Sequence, residues 1–582
     1  MRGKFLVFLA PALLAVWAGL IDTPPLGMAS RGEVLVEVHE DFRQDPGWEG
    51  VNNRIECVDC PTVTQDFGWR PTSHSGGGKG EIGGRIWRSR TPAYYAMPLG
   101  RPLTFEDAFS ASGRIVFRHI TAGRLEGQSG AAYIGFFNST RQGWRPWSSV
   151  AIRLLGEAED RVGVHVDYMT AKWGGYGDEL DTRLSGIGIP HTWRMSYAPE
   201  ARMSSWPDPR LKNYLSSERQ TAEEIFEKAK KAEPDATLEG VRRRLGEALE
   251  EGLVRFFERP SGAFWTLNLD YGPFKGAVTV QFDGGRPHRF YLLPEHRAGP
   301  LLLDRFGIFN FQVYHSSLEF YLSDLTVNGQ KIDLSRDPGW EGKGNRTQFV
   351  ERDFHRQDFG YSQTNWAGER VGEIGGLFYR TEAVDPLHGY YADRIGKLRL
   401  DDRISFAGSV CFPEGGTDAG MYIGYFNAAA RMVQTSDKYG AEFGNDSMGI
   451  VIGGPTRVGY YFSAYCSPKR GLAAVTRGPV FLPTAERRRF RFDYNPQANR
   501  GMGRITIALD GEATVMDLTA EQRAAGAVFD RFGLMNIRRG GKYVRIYFDD
   551  LMYTARRSRK DSRVRHEQTV VTVPYPPGGR KY

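Results

Sequence analysis

DPGWEG, at Asp45–Gly50, occurs again at Asp337–Gly342, 292 residues later. Two further motifs repeat at the same offset: QDFGW at 65–69 with QDFGY at 357–361, and GEIGG at 80–84 with GEIGG at 372–376. Chance does not keep three motifs in one register, and self-similarity over this length indicates a duplicated structural unit. The sequence therefore predicts two copies of one domain.

Later motifs show that the first copy is longer than the second. YIGFFN at 133–138 matches YIGYFN at 422–427, and DRFGIFN at 304–310 matches DRFGLMN at 530–536. The offset falls from 289 to 226 residues between these two pairs, so the first copy contains an additional segment of 63 residues.

The additional segment lies at about 207–260, where the hydrophobic pattern changes to a helical one. Pro234 interrupts this pattern, and Thr237 is placed to cap a second helix. We expect an α-helical hairpin inserted at a surface loop of a β-domain, with Phe256 among its apolar positions. Two roles remain open for it, a passive decoration and a lid over a binding face.

Outside the insertion, short segments alternate apolar and polar residues, the period of half-buried strands. Examples are AAYIGFF, RVGVHVDY and LEFYLSDLTV in the first copy, and GMYIGYF, RVGYYFSAY and VRIYFDDLMY in the second. Many short antiparallel strands joined by turns favour a two-sheet sandwich. The expected fold is all-β, with one sandwich at 36–329, including the insertion, and a second at 330–555.

Both ends of the chain differ in character from the body. Residues 1–29 have the pattern of a signal peptide, because Arg2 and Lys4 precede an apolar run too short for a comfortable membrane span. No later segment is apolar enough to span, so we expect a secreted, periplasmic or cell-envelope protein. The net charge is +7, but residues 556–582 contain eight basic against two acidic residues. Two roles remain open for this flexible tail, contact with acidic surfaces and a merely solvated extension, and the body loses the main argument for nucleic-acid binding.

Late motifs of the two copies carry a family resemblance. Each copy has a hairpin ending in DG, AVTVQFDGG or RITIALDGE, followed by a closing strand with YLSDL or YFDDL. This order resembles the concanavalin A-like lectin and glucanase sandwiches, including laminin G-like modules. The resemblance implies two jelly-roll sandwiches whose curved sheets hold a glycan on the concave face, often with a structural calcium ion at the sheet edge.

Four charged residues that recur in both copies are candidates for catalysis. They are Glu81 and Arg88 in the first copy, and Glu373 and Arg380 in the second. Glycoside hydrolysis by the usual route needs two carboxyl groups on either side of the bond. The ExDxxE strand of the related glucanases is not reproduced, because Glu351 and Asp353 begin such a pattern but Arg356 ends it. A structural role for the glutamates, capping backbone groups or pairing with arginine, remains the alternative.

Binding of sugars requires less than catalysis, because aromatic rings stack on the apolar faces of sugars while polar groups take the hydroxyls. The candidate ligand-binding residues are Tyr95, Trp144, His165, Trp173, Tyr176, Trp366, Tyr391 and Tyr460. Packing in the core is the alternative for each ring.

Repeated aspartates are the candidates for calcium, as oxygen ligands suit that ion. Asp45 with Asp324, and Asp337 with Asp550, fall on the first and last strands of each copy, which we expect to lie side by side; turn capping is the alternative. Four cysteines fit two disulfides in an oxidising compartment, although other pairings stay open. The expected pairs are Cys57 with Cys60 and Cys411 with Cys466.

These observations leave three functional hypotheses. The first is a carbohydrate-binding protein whose two domains give avidity along a polysaccharide. The second is a polysaccharide-active enzyme, a hydrolase or a lyase, and the third is a structural surface module without a small ligand.

Overall fold

The structure is a computed structural model of the full chain, and it describes most residues between Glu33 and Val573. The described residues are 33–57, 60–122, 129–141, 146–171, 175–202, 220–250, 254–259, 262–267, 275–292, 294–312, 316–352, 357–379, 388–416, 419–429, 445–456, 459–469, 472–537, 542–558 and 571–573. The expected signal peptide at 1–29 lies outside them, as does most of the tail, although β-structure is present at 571–573.

Strands dominate the described part of the chain. The first eighteen are β1 (Glu33–Glu40), β2 (Glu49–Val51), β3 (Arg54–Cys57), β4 (Thr62–Arg70), β5 (Glu81–Trp87), β6 (Tyr94–Leu103), β7 (Phe109–Ile120), β8 (Ala131–Phe137), β9 (Ser149–Ala158), β10 (Arg161–Met169), β11 (Gly175–Ser185), β12 (His191–Arg202), β13 (Val254–Arg259), β14 (Gly262–Leu267), β15 (Lys275–Phe282), β16 (His288–Tyr291), β17 (Leu303–Asn310) and β18 (Ser317–Val327). The others are β19 (Gln330–Lys331), β20 (Glu341–Lys343), β21 (Arg346–Val350), β22 (Gln357–Ser362), β23 (Glu373–Tyr379), β24 (Tyr390–Arg399), β25 (Ile404–Gly415), β26 (Ala419–Phe426), β27 (Ser447–Thr456), β28 (Gly459–Ser467), β29 (Ala474–Thr476), β30 (Val480–Phe481), β31 (Arg487–Asn495), β32 (Arg504–Leu509), β33 (Glu512–Asp517), β34 (Val528–Asn536), β35 (Tyr543–Ser558) and β36 (Val571–Val573). The helices are α1 (Ala222–Ala232), α2 (Leu238–Glu250), α3 (Pro294–Arg297) and α4 (Ala520–Ala525), with a 3-10 turn at Asn499–Gly501.

Sandwich 1 is formed by two sheets that pack face to face. Over the described residues, one sheet has nine strands, in the order β16-β15-β12-β7-β18-β5-β4-β21 with β19 on β18, and the other has seven, in the order β11-β10-β9-β8-β17-β6-β20. Strand β8 shows why the sheets pair: Ile134 and Phe136 point into the core between them, while Tyr133 and Phe137 belong to a cluster on the outer face. Each large apolar side chain buried in this core contributes about 1.5 to 3 kcal/mol.

Sandwich 2 repeats this arrangement. Over the described residues, its larger sheet has ten strands, in the order β33-β32-β31-β25-β35-β23-β22-β3-β36 with β1 on β35, and its smaller sheet has eight, in the order β2-β24-β34-β26-β27-β28-β29 with β30 on β28. A separate core, which includes Phe406, Phe492 and Phe532, lies between the two sheets. The fold is therefore all-β, with two antiparallel β-sandwiches in tandem.

The two copies exchange their first strands. Residues 33–57, called segment 1, belong in sequence to the first copy, but β1, β2 and β3 pair with β35, β24 and β22 of sandwich 2. Residues 337–350, called segment 2, belong to the second copy, but β20 and β21 pair with β6 and β4 of sandwich 1. The strand pairing therefore does not divide at 329/330, the boundary expected from the order of the motifs.

The chain crosses between the sandwiches at two neighbouring places. Residues 58–61 lead from β3 in sandwich 2 to β4 in sandwich 1, and residues 351–356 lead from β21 in sandwich 1 to β22 in sandwich 2. The two crossings are in contact, because the Glu351 amide donates a hydrogen bond of 2.9 Å to the Pro61 carbonyl. Each sandwich is therefore completed by a segment of the other copy.

The insertion begins as the expected helical hairpin. Helix α1 starts with a capping box, in which Thr221 and Glu224 each bind the other's backbone amide, and Thr237 Oγ1 accepts a hydrogen bond from the Gly240 amide at the start of α2. Its last part is different, because Phe256 lies on β13, which forms a hairpin with β14. The aromatic and β-branched residues of VRFFER favour a strand over the helix expected there.

Across the described part of the chain, the helices are too short or too polar to cross a membrane.

Candidate functional site

A groove of about 1140 Å³ lies on the outer face of the larger sheet of sandwich 2. Its lining combines polar and aromatic groups, and it includes Asp45, Arg54, Asp358, Tyr361, Ser362, Gln363, Arg545 and Tyr547. Glycines 375 and 376 form part of its floor, because they leave the strand β23 without side chains on that side. The groove is thus open and polar, with two tyrosine rings along it.

Trp366 stands beside this groove. Its ring stacks on Tyr547, with 6.2 Å between the ring centroids and 17° between the planes, and 44% of the residue is exposed to solvent. Trp366 therefore presents a flat aromatic ring to solvent while its position is fixed by the buried Tyr547.

Two side chains, those of Glu373 and Arg487, hold the loop that carries Trp366. Glu373, which is fully buried, accepts hydrogen bonds from the amides of Trp366 and Ala367 at 2.9 and 2.6 Å. Arg487 donates to the Gly368 carbonyl. The position of the tryptophan is therefore set by charge-assisted hydrogen bonds to backbone groups.

Asp549 lies under the same loop and is 3% exposed. A methyl group on Gly368 would lie 1.5 Å from Asp549 Oδ2, so the loop contacts this carboxyl directly. Burial, the neighbouring Asp550 and the charges of Glu373 and Asp41 raise the pKa of Asp549 to about 7. The group therefore titrates near neutral pH.

An ion-pair cluster borders the groove and joins the sandwiches. Arg90 of sandwich 1 contacts Glu414 of sandwich 2 at 2.6 Å, and Tyr543 donates a 2.8 Å hydrogen bond to the same carboxylate. Burial acts to raise the pKa of Glu414, but Arg90 and Arg545 outweigh it and lower that pKa below its usual value. Arg545 thus lines the groove while its Nε lies 3.4 Å from the Glu414 carboxylate.

Sandwich 1 carries different residues at the corresponding place. His74 lies over Tyr321, with 4.6 Å between ring centroids, where sandwich 2 has Trp366 over Tyr547. Glu319 occupies the position of Arg545, and it contacts Arg85 at 3.4 Å. The two outer faces share a backbone and differ in ring size and in charge.

A second polar site lies on the outer face of the seven-stranded sheet of sandwich 1. Arg153 and Asp167, 4% and 2% exposed, approach within 3.0 Å, and Tyr133 donates a 3.0 Å hydrogen bond to Asp167. Arg153 also donates to Nδ1 of His165 at 3.0 Å, so that ring nitrogen is the acceptor. These four residues are called the quartet.

The other copy shows that the fold does not require the quartet. Strand registers place Tyr133 and His165 opposite Arg153, and the matching pairs in sandwich 2 are Tyr422 and Ser463 opposite Val451. There an apolar cluster takes the place of the charges, and it includes Tyr422, Val451 and Tyr465. Buried ion pairs are seldom more stabilising than apolar packing, so the charges in sandwich 1 indicate a role other than stability.

The glutamates proposed for catalysis cap loops. Glu81 is fully buried and accepts hydrogen bonds from the amides of His74 and Ser75 at 2.8 and 3.1 Å, as Glu373 does in sandwich 2. Arg88 donates to the Ser129 carbonyl and lies over the ring of Phe311. Arg380 lies outside the described residues. The structural alternative therefore describes Glu81 and Glu373 better than the catalytic one.

Tyr95 is buried by segment 2. Its hydroxyl donates a 2.8 Å hydrogen bond to Asp337, and its ring stacks on Trp340 with 5.8 Å between centroids. Tyr391 makes the equivalent contacts with segment 1, to Asp45 at 3.1 Å and to Trp48. Both tyrosines hold an exchanged segment and present no free face to a sugar, contrary to the expectation.

The other expected ligand-binding residues fall in several places. Tyr460 is fully buried and donates to the Gly416 carbonyl, so it is a core residue, and His165 belongs to the quartet. Trp144 and Trp173 lie outside the described residues, as does the side chain of Tyr176 on β11. Trp366 lies at the groove.

The aspartates expected to bind calcium cap turns. Asp45 accepts from the Gly47 amide at 2.8 Å, and Asp337 from the Gly339 amide at 2.9 Å. Because the segments are exchanged, Asp45 lies in sandwich 2 and does not meet Asp324 of sandwich 1; Asp550 contacts Arg489 at 3.5 Å. Within the described residues, no three histidine, cysteine or carboxylate side chains are grouped to hold a metal ion.

Cys411 and Cys466 are free thiols, which corrects the disulfide expected between them. Cys466 points into the core of sandwich 2, whereas Cys411 packs with Ala367 and Tyr547 on the outer face, so their side chains point apart. Burial raises the pKa of both thiols to about 12. Cys60 is disulfide-bonded, as expected; the side chain of Cys57 lies outside the described residues, and its identity as the partner stays a prediction.

The sequence reasoning missed Arg153, Asp167, Arg545 and Asp549. Each is a position at which the two copies differ, such as YLSDL against YFDDL for Asp549. Differences between the copies were the available signal, whereas the catalytic and calcium candidates were chosen among residues that both copies share.

No protein-family model matches the sequence, and no curated protein matches it. Among solved structures, the chain is similar to domains LG4-5 of the mouse laminin alpha1 chain, with a TM-score of 0.20 and 10% identity over 82% of this chain and 89% of that one. It is also similar to peanut lectin with a bound nine-residue peptide, with a TM-score of 0.19 and 9% identity over 31% and 90% of the two chains. A third similar structure is the botulinum neurotoxin serotype G binding domain, with a TM-score of 0.20 and 8% identity over 90% and 99%.

Proposed function

We propose that the protein binds carbohydrate in the groove of sandwich 2, with Trp366 as the stacking surface. The observation that carries this proposal is the exposed Trp366 ring, held on Tyr547 beside an open polar groove. Sugars offer an apolar ring face and several hydroxyls, and a flat ring next to carboxylate, amide and guanidinium groups complements both.

The lining favours a neutral or weakly charged glycan. Two arginines, Arg54 and Arg545, are balanced by two carboxylates, Asp45 and Asp358, and Arg54 lies 3.9 Å from Asp358. Paired charges of this kind accept and donate hydrogen bonds to hydroxyls without imposing a net charge on the ligand. Gln363 and Ser362 add neutral partners along the same edge.

Binding of the full chain to a panel of polysaccharides tests the proposal. We expect retention by at least one glycan, and Trp366→Ala should weaken that binding about tenfold or more, because the stacking surface is removed. His74→Ala, at the matching position of sandwich 1, is the control and should leave the affinity unchanged. The proposal is abandoned if no polysaccharide is retained, or if Trp366→Ala binds as well as the unmodified chain.

A second candidate function, turnover of a polysaccharide, is favoured by the quartet. The quartet brings an imidazole, a guanidinium, a carboxylate and a phenol together, the kinds of group that take part in proton transfer, and His165 is its most exposed member at 7%. His165→Ser, the residue of sandwich 2, should abolish any turnover while the unfolding temperature changes little. Turnover that persists in this variant removes the quartet from catalysis.

We also propose a secreted or cell-envelope location, which rests on the apolar run after Lys4. The expected result is a mature protein that lacks about the first 29 residues, as read by mass spectrometry of the exported fraction. An intact N-terminus on cytoplasmic protein contradicts it.

A further inference from the structure

The two exchanged segments fit their sandwiches through the same atoms. In sandwich 1, Glu341 of segment 2 binds Arg305 at 2.7 Å; in sandwich 2, Glu49 of segment 1 binds Arg531 at 2.7 Å and Arg394 at 3.0 Å. The tryptophan and aspartate contacts to Tyr95 and Tyr391 are likewise equivalent. The binding surface of each sandwich therefore recognises the repeated motif and not the copy of the chain that supplies it.

The side-chain and backbone clamps of the two segments are equivalent as well. Asn345 of segment 2 donates to the Phe67 carbonyl at 2.6 Å, and its own carbonyl accepts from the Phe67 amide. Asn53 of segment 1 forms the same two bonds with Phe359. A segment of this sequence thus extends the sheet edge by hydrogen bonds that any copy of the motif satisfies.

The origin of the segment differs between the sandwiches. Segment 2 follows β18, the closing strand of the sandwich it completes, after about ten residues. Residues 559–582, which follow the closing strand β35 of sandwich 2, contain no DPGWEG. The edge of sandwich 2 is filled from the other end of the chain, by a segment joined to sandwich 1 only through residues 58–61.

We propose that segment 1 also fills sandwich 2 of a second copy of this chain, so that two molecules associate by reciprocal exchange of residues 33–57. When segment 1 enters sandwich 2 of another molecule, it makes the same contacts that it makes within one chain. The cost is the translational and rotational entropy that the two molecules lose on association. The structure already shows segment 1 leaving its own copy to complete the other sandwich. Its short crossing, residues 58–61, contacts the second crossing through the hydrogen bond between the Pro61 carbonyl and the Glu351 amide.

Charge reversal on full-length chains tests this exchange. Glu49→Arg places a cation against Arg394 and Arg531, and the Arg394→Glu/Arg531→Glu variant places two anions against Glu49. In each variant alone, segment 1 therefore binds weakly to sandwich 2 of its own chain. When the two are unfolded and refolded together, each segment meets its complement only in the other molecule. We expect a species of twice the 65.4 kDa chain mass by light scattering, with an unfolding temperature raised toward that of the unmodified chain.

The control pair reverses a salt bridge that no exchange crosses. Glu106 and Arg297 both belong to sandwich 1 and are 2.9 Å apart, so mixing Glu106→Arg with Arg297→Glu should give no more of the double-mass species than the unmodified chain refolded at the same concentration. A mixture of the Glu49 and Arg394/Arg531 variants that elutes only at the single-chain mass overturns the proposal.

A second measurement keeps the proposal testable where a reversed variant does not fold. The unmodified chain carrying two different tags is refolded together over a range of concentrations. Mixed-tag species of twice the chain mass that increase with concentration support the exchange, and single chains throughout the range overturn it.

Discussion

Trp366 lies on Tyr547 in sandwich 2, while His74 lies on Tyr321 at the same place in sandwich 1. The strands beneath them, the glycines and the glutamate that caps the loop are the same in both. The tryptophan, aspartate and asparagine contacts of the exchanged segments are also present in both sandwiches. The comparison separates residues that maintain the duplicated fold from residues that have diverged on its outer faces, and the diverged positions are the better guide to function.

The largest expected effect concerns the shared contacts. Trp48, 3% exposed, packs on Phe42, Tyr391 and Tyr553, so Trp48→Ala should cost about 3 to 5 kcal/mol. Because segment 1 is joined to sandwich 1 and packed in sandwich 2, we expect both sandwiches to unfold together, in one transition by urea denaturation followed by circular dichroism. Trp340→Ala, the matched variant in segment 2, should behave alike; two separate transitions would contradict the coupling.

A smaller effect is expected at the quartet, where the copies diverge. Arg153→Val removes the guanidinium that lies 3.0 Å from Asp167 and should cost about 3 kcal/mol in unfolding free energy. Arg153→Val with His165→Ser and Asp167→Tyr installs the residues of sandwich 2 and should recover stability to within about 1 kcal/mol of the unmodified chain. A triple variant less stable than the single one shows that the network is structural.

The third prediction uses Asp549, which replaces Ser323 of the first copy. Its folded-state pKa is about 7, against an ordinary 3.8, so the folded state binds the proton more tightly and the free energy of unfolding falls as pH rises through this window. Asp549→Ser should raise stability on the order of 2 kcal/mol near pH 8 and little near pH 4. Glu369→Ser, on the same loop and exposed, should show no such dependence; equal gains at both pH values contradict the titration.

The smallest effect concerns the ring at the groove. Trp366→His gives sandwich 2 the ring of sandwich 1, and it should weaken glycan binding by about tenfold or less by calorimetry, because a smaller ring still stacks. His74→Trp in sandwich 1 should gain little, since Glu319 there replaces Arg545. Strong new binding by His74→Trp means that ring size alone separates the two faces.

The repeat could be predicted from the sequence, because strand alternation and turn residues are local signals. The same signals placed the helical hairpin and the Thr237 cap. The exchange of segments could not be predicted: DPGWEG makes identical contacts whichever sandwich it enters, so the local pattern is the same for both connections. The boundary at 329/330 and the pairing of Asp45 with Asp324 were wrong for this reason.

At the candidate sites, the sequence indicated the exposed aromatic residue but did not indicate the buried charged residues. Trp366 was identified from its residue type, and its exposure fits that choice. Glu81 and Glu373 were proposed because both copies retain them, but retention reflects their hydrogen bonds to loop amides, which the fold needs twice. Arg153 and Asp549 are single-copy charges in buried positions, and burial depends on which strands cover them, which no local pattern encodes.

The contact between the Glu351 amide and the Pro61 carbonyl has a consequence for cleavage of the chain. A protease that cuts at either crossing leaves two fragments that stay associated, because segment 1 remains paired with strands of sandwich 2. A chain truncated between the repeats is expected to behave differently. Sandwich 1 would lack segment 2 on β6 and β4, and segment 1 would have no sheet to pair with, so unpaired strand edges would promote aggregation.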